Sequence, residues 1–133
     1  MVEDRDTVVK IMDIFEESII KRKYEDFCIT FENFDRCIKV SNSKNVIDDN
    51  DLIFLWIRLI KRNNRYSVDI SNITLPKSIR RKGIMTDIIS KLNRLKDDVF
   101  EIRISGVCTE GMFLFCKKMN MDTYNNMDYF MTV

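Results

Sequence analysis

Ile79-Arg80-Arg81-Lys82-Gly83-Ile84-Met85-Thr86 is the stretch on which the reading of this chain turns. It follows the only proline, Pro76, holds one of three glycines, and lies where strand-like sequence gives way to helix-like sequence. A strand that ends in a basic turn and opens directly into a helix aims unpaired backbone N–H groups, and the positive helix end, at one point. Such a turn is an anion site. Its neighbours decide whether it cradles a phosphate.

Downstream, Ile84, Ile88, Ile89, Leu92 and Leu95 predict a helix ending near Lys96-Asp97-Asp98, and Phe100, Ile102 and Ile104 alternate as a strand does. Thr109 is the expected N-cap of a further helix with a wide apolar face from Met112 to Met119. A short strand, a turn at Asn125-Asn126 and a longer strand close the chain. Upstream, Tyr66, Val68 and Ile70 alternate strictly, but the next apolar positions are Ile73 and Leu75. A slip in a period of two is what a β-bulge leaves in sequence, the competing reading being a turn at Asn72.

Lys61-Arg62-Asn63-Asn64 predicts a hairpin turn, and the apolar run Leu52–Ile60 before it predicts a strand covered on both faces. Phe27–Phe31 and Cys37–Val40 read as a hairpin, and the polar segment from Ser41 to Asp51 as a loop. An amphipathic helix is expected from an N-cap at Asp6 or Thr7 to Lys21-Arg22-Lys23. The order strand, basic turn, helix, strand implies a crossover between parallel strands within a mixed sheet. The turn then lies at the carboxyl end of a central strand, where open sheets bind ligands.

Composition narrows the function. The 133 residues suit one domain, 1–133, and 22 basic residues against 21 acidic ones leave a net charge of +1. That balance argues against a nucleic-acid binder relying on a broad positive field. The charged start Met1–Asp6 and the lack of a long apolar run predict a cytoplasmic protein with no membrane partner. Cys28, Cys37, Cys108 and Cys116 lack metal-ligand spacing and there is no histidine, so no metal is expected. Any general base must then be a carboxylate, a thiolate, a terminus or an ordered water.

Taken together, Ile73-Thr74-Leu75-Pro76, Arg80-Arg81-Lys82-Gly83-Ile84-Met85 and Phe115-Cys116-Lys117-Lys118-Met119-Asn120-Met121 resemble the GCN5-related N-acetyltransferase (GNAT) superfamily, over roughly residues 66 to 133. Arg80 and Gly83 match the R/Q-x-x-G-x-G/A pattern of the family's acyl-CoA loop, and Lys118 with Tyr129-Phe130-Met131 matches its tail. The resemblance implies a mixed α+β fold: a central, mostly antiparallel sheet flanked by helices, with a splayed parallel strand pair forming the acyl-CoA cleft. It implies an N-acyltransferase moving acetyl from acetyl-CoA directly to a primary amine. The alternative is a non-catalytic acyl-CoA-binding or protein-interaction domain on a degenerate version of that fold. Acceptor identity, and whether the chain is a monomer or a homodimer, stay open.

On this resemblance the cofactor-binding residues are Ile73, Leu75, Arg80, Arg81, Lys82, Gly83, Ile84, Met85 and Thr86. Gly83 would let the backbone approach the pyrophosphate, and the amides from Arg81 to Met85 would donate to it. Asp69, just before the expected bulge, is the candidate base or water-positioning carboxylate, with Glu101 next; each competes with a solvent-facing reading. Cys116 stands where many members carry the tyrosine that protonates the leaving thiolate. It is the candidate donor, set against a role as a small core residue. Tyr124 and Tyr129 are further replacements. Asp48, Asp49 and Asp51 could attract a cationic amine or simply face water.

Overall fold

The computed structural model describes residues 2–20, 30–33, 37–41, 53–75 and 83–133. In chain order these form α1 (Val2–Ile20), β1 (Thr30–Asn33), β2 (Cys37–Ser41), β3 (Phe54–Arg62), β4 (Arg65–Thr74), α2 (Ile84–Asn93), β5 (Val99–Ser105), α3 (Glu110–Lys118), β6 (Asp122–Thr123) and β7 (Tyr129–Thr132). Among the described residues the strands make one seven-stranded sheet in the order β1-β2-β3-β4-β5-β7-β6. Every neighbouring pair is antiparallel except β4 and β5, which run parallel and are joined through α2. This is the mixed α+β arrangement that the resemblance implies.

Sequence chemistry explains the turns. The β3–β4 hairpin closes through Asn63 and Asn64, both left-handed at φ 48° and 67°, between the paired Arg62 and Arg65. Two consecutive positive φ values match the right-handed twist of the flanking strands, and asparagine tolerates them better than other side-chain-bearing residues do. Helix α3 starts at Thr109, whose Oγ1 accepts from the Met112 amide at 3.3 Å, as expected of its N-cap. It ends with Asn120 at φ 56°, where the amides of Asn120 and Met121 return to the carbonyls of Lys117 and Cys116. That is the Schellman closure, with asparagine in the place usually held by glycine.

Helix α1 departs from its expected start. It begins by Val2, and Thr7 lies inside it, its hydroxyl donating to Asp98 Oδ1 at 3.4 Å instead of capping an end. Lys21-Arg22-Lys23, Cys28, the first half of the Phe27–Phe31 strand and the acidic segment containing Asp48, Asp49 and Asp51 lie outside the described residues. Helix α2 ends at Asn93, short of the expected Lys96-Asp97-Asp98.

Burial also corrects which strand is enclosed. Along β3, Leu55, Ile57 and Leu59 are buried while Arg58 and Ile60 are exposed, so β3 is covered on one face. The doubly covered strand is β4, where every residue from Tyr66 to Ile70 is buried. The reason is position: β4 is central and parallel to β5, and its inward polar groups Ser67 and Asp69 find partners. On the apolar face, Ile57, Val68, Ile70 and Ile102 pack with Ile11, Phe15 and Ile19 of α1 and Ile84, Ile88 and Leu92 of α2. A second, smaller cluster joins Ile104, Val107, Cys116, Met121 and Tyr129.

The hairpin is directly testable. Asn64→Gly removes the strain of its positive φ and should raise the urea midpoint, whereas Asn64→Val should cost about 1–2 kcal/mol because a branched side chain collides with the backbone there.

Candidate functional site

Strand β4 does not stay in register. Phe54 pairs with Thr74 and Trp56 with Ser71, so two steps along β3 face three along β4. The extra residue falls beside Asn72, which takes φ 53°. The bulge expected between Ile70 and Ile73 is therefore present, and the turn-like conformation of Asn72 is part of it.

Beyond the bulge the parallel ladder stops. Its last pair is Ser71 with Ser105, and β4 continues to Thr74 with no partner in β5. The chain leaving β5 is held on the other side: the Gly106 amide donates to Asp128 Oδ1 at 2.9 Å and the Val107 amide to the Met127 carbonyl at 2.7 Å. Those acceptors sit in a closely tied β6–β7 turn. Asn125 Oδ1 accepts from the amides of Met127 and Asp128, and Thr123 Oγ1 from those of Asn125 and Asn126. Pairing between the two strands thus ends at Ser71 and Ser105, with a bulge in β4 on one side and the residues after β5 hydrogen-bonded to the β6–β7 turn on the other.

Past the end of the ladder, Ile73 is half-buried against both apolar clusters and Leu75 is buried. Arg80, Arg81 and Lys82 lie outside the described residues. Gly83 is the N-cap of α2 at φ 77°, ψ 16°, and its carbonyl accepts from the Asp87 amide at 2.9 Å. The side chains of Ile84 and Met85 are buried and that of Thr86 is half-buried. What Ile84 and Met85 can offer a ligand is therefore their backbone. The amides of Ile84, Met85 and Thr86 fall in the first helical turn, where no preceding carbonyl is in register, and Gly83 has no side chain to cap them. That is the form of an anion cradle.

The face opposite α1 and α2 carries a polar row. Residues paired across strands share a face, and Arg58, Asp69, Arg103 and Phe130 are paired in succession from β3 to β7. Asp69 is 2% exposed, so the solvent-facing reading fails. Its Oδ2 accepts from Arg58 Nη2 at 2.8 Å and its Oδ1 from Ser105 Oγ at 2.6 Å. Arg58 is about half exposed (54%), which brings a guanidinium from this buried carboxylate to the surface. Glu101 accepts from Ser67 Oγ at 2.8 Å and from Arg103 Nε at 2.6 Å, and that hydrogen bond raises the Arg103 pKa. Tyr124 is exposed and stacks on Phe130 with ring centroids 4.7 Å apart.

Cys116 lies on the apolar side and is fully buried, and burial pushes its thiol pKa up to about 11. The core-residue reading describes its packing well. Tyr129 was one replacement among several on sequence grounds. Here it is buried, edge-on to Phe113 with centroids 6.2 Å apart, and its hydroxyl has no hydrogen-bond partner. Ser105 and Arg58 were missed as partners of Asp69. The signals were present: Arg58 interrupts an apolar run and Ser105 ends an alternating strand. Among the described residues no group of three or more His, Cys, Asp or Glu could hold a metal ion, and no helix is long and apolar enough to cross a membrane.

Two consequences can be measured. Asp69→Ala removes both charge-assisted hydrogen bonds from a buried site and should cost about 1.5–3 kcal/mol in urea unfolding. Hydrogen bonds from Asn125 and the Gly106 amide hold the Asp128 pKa below its ordinary value. Its stabilisation is thus complete above about pH 4, the unfolded value, and lost as the pH falls through the lower folded one. The gap in urea midpoint between wild type and Asp128→Ala should close along that acid limb.

No protein-family profile matches the chain, and no curated protein does. Among solved structures, a tyrosine-to-phenylalanine mutant of the AtaT toxin, bound to the C-terminus of the antitoxin AtaR and to acetyl-CoA, is similar over 85% of this chain and 73% of that one, at 12% identity and a TM-score of 0.41.

Proposed function

We propose that residues 1–133 act as one acetyl-CoA-dependent N-acyltransferase domain that moves an acetyl group directly to a primary amine. The observation that carries this reading is the pairing of a bulged β4, parted from β5 beyond Ser71 and Ser105, with a helix that opens on a left-handed glycine at the same end of the sheet. A pantetheine arm is a thin chain with amide groups, suited to the backbone of Ile73 and Thr74 on the side where β4 has no partner in β5. A pyrophosphate is suited to the first turn of α2, where Ile84, Met85 and Thr86 offer amides. Arg80, Arg81 and Lys82, which precede Gly83 in the sequence, would add positive charge for the phosphates.

On the acceptor side, Asp69 and Ser105 carry the proton chemistry. Ser105 is the last residue of the β4–β5 ladder, and its hydroxyl links the opening to the Asp69 carboxylate. With both carboxylate oxygens occupied, Asp69 fits the role of orienting Ser105 and a water better than that of a free base. The second reading, a binding domain without turnover, is favoured by one observation: the buried thiol of Cys116 holds its proton too tightly, at a pKa of about 11, to donate readily near neutral pH.

Thermal unfolding with acetyl-CoA tests the reading. Saturation a hundredfold above Kd should add about 2.7 kcal/mol to wild-type stability. Gly83→Val, which forces a branched residue into the left-handed region, and Arg80→Glu combined with Lys82→Glu should each abolish most of that gain. A wild type unmoved by millimolar acetyl-CoA would sink the proposal. Release of free thiol in the presence of a primary amine separates an enzyme from a binding domain.

A further inference from the structure

Among the described residues the three helices pack against one face of the sheet, and on the other face charge is layered. Arg58, Asp69 and Arg103 are paired there in succession across β3, β4 and β5, with Glu101 two residues from Arg103 along β5. The carboxylates form the inner layer: the Asp69 side chain is 3% exposed and that of Glu101 19%. The guanidiniums form the outer one, at 54% for Arg58 and 38% for Arg103. Solvent therefore meets the cations first, with their counter-charges beneath them.

Both guanidiniums also keep donors in reserve. Among the described residues, Arg58 donates from Nη2 to Asp69 and Arg103 from Nε to Glu101. A guanidinium carries five N–H groups in a planar fork, and a carboxylate accepts two of them at once. We propose, resting on the acyltransferase reading, that Arg58 and Arg103 bind an acidic side chain of the acceptor, so that the amine to be acetylated is the N-terminus of an acidic peptide.

Spacing favours a peptide over a smaller acid. Arg58 and Arg103 stand one strand to either side of Asp69, with backbones about 9–10 Å apart, so one carboxylate between them is within reach of both side chains. Ser105, which ends the ladder and belongs to the acceptor side of the proposed reaction, lies two residues beyond Arg103, about 7 Å along β5. An amine at Ser105 and an anion at Arg103 are thus as far apart as a peptide's N-terminus and its second or third side chain. In a free α-amino acid the amine and the carboxylate share one carbon, which is too close to span that distance. Other acids do not neutralise the row. By register Glu32 and Asp122 fall on the outer strands β1 and β6, and Asp128 is bonded to the Gly106 amide and to Asn125. A lysine-rich acceptor would meet the guanidiniums first and be repelled.

Three peptides with free N-termini, differing only in carrying Glu, Gln or Lys at their second and third positions, test this. Trp56, the single tryptophan, pairs with Ser71 on the same face and stands two residues from Arg58, so its fluorescence reports occupancy. With CoA present, the Glu peptide should bind about three- to tenfold more tightly than the Gln peptide, the range of two half-exposed ion pairs, and the Lys peptide most weakly. The preference should shrink as salt rises from about 0.05 to 0.5 M. Arg103→Gln should erase it, and Arg58→Lys, which keeps a cation over Asp69 but loses the fork, should reduce it. Binding of no peptide, equal binding of the Glu and Gln peptides, a preference for Lys, or a preference that survives in both variants overturns the proposal. Thermal unfolding with acetyl-CoA separates the two readings. A wild type stabilised by acetyl-CoA that releases thiol equally with all three peptides loses the acidic acceptor alone, whereas one unmoved by acetyl-CoA loses the acyltransferase reading as well.

Discussion

The Asp69 carboxylate is the point on which the architecture depends. It stands on the central strand, takes a hydrogen bond from Arg58 on one neighbouring strand and from Ser105 on the other, and so ties β3, β4 and β5 at the level where the parallel ladder ends. A buried ion pair of this kind is a weak source of stability, because desolvation offsets much of the attraction. Its effect is on geometry. A one-residue slip of β4 would carry Asp69 to the apolar face among Ile57, Val68 and Ile102, leaving its charge without partners. The pair therefore specifies register immediately before the place where register is deliberately broken.

That break follows from competition for hydrogen bonds. A parallel pair left alone would zip to the ends of its strands. Here β4 loses phase at Asn72, and the amides just past β5 are taken by Asp128 and Met127 of the β6–β7 turn. The asparagine and threonine side chains that organise that turn keep its acceptors aimed at Gly106 and Val107. The end of the parallel ladder is thus flanked on both sides by locally determined hydrogen bonding.

Much of this was legible in the sequence, and where it was not, the reason is physical. The bulge announced itself because a period of two cannot absorb an extra residue silently. The Thr109 cap and the Asn63-Asn64 turn were legible because they are decided within a few residues. The start of α1 was misjudged because Thr7, an apt cap by composition, is spent on Asp98, some ninety residues away in the chain. Coverage of β3 was misjudged for a related reason: an apolar run shows what can be buried, and only the placement of helices shows what is. Asp69 was the candidate carboxylate, but a solvent-facing position stayed open beside that role because nothing local reveals that Arg58 and Ser105 converge on it. The isolated Arg58 in an apolar strand was the available clue.

The two faces of the sheet divide the chemistry between them. The polar face holds carboxylates, guanidiniums and hydroxyls that are already joined by hydrogen bonds. The apolar face excludes water from Cys116 and Tyr129, so any charge that develops there is costly unless a proton reaches it at once. A chain without histidine lacks the side chain whose unperturbed pKa lies nearest neutrality. The two environments come together where the β4–β5 ladder ends, at Ser71 and Ser105.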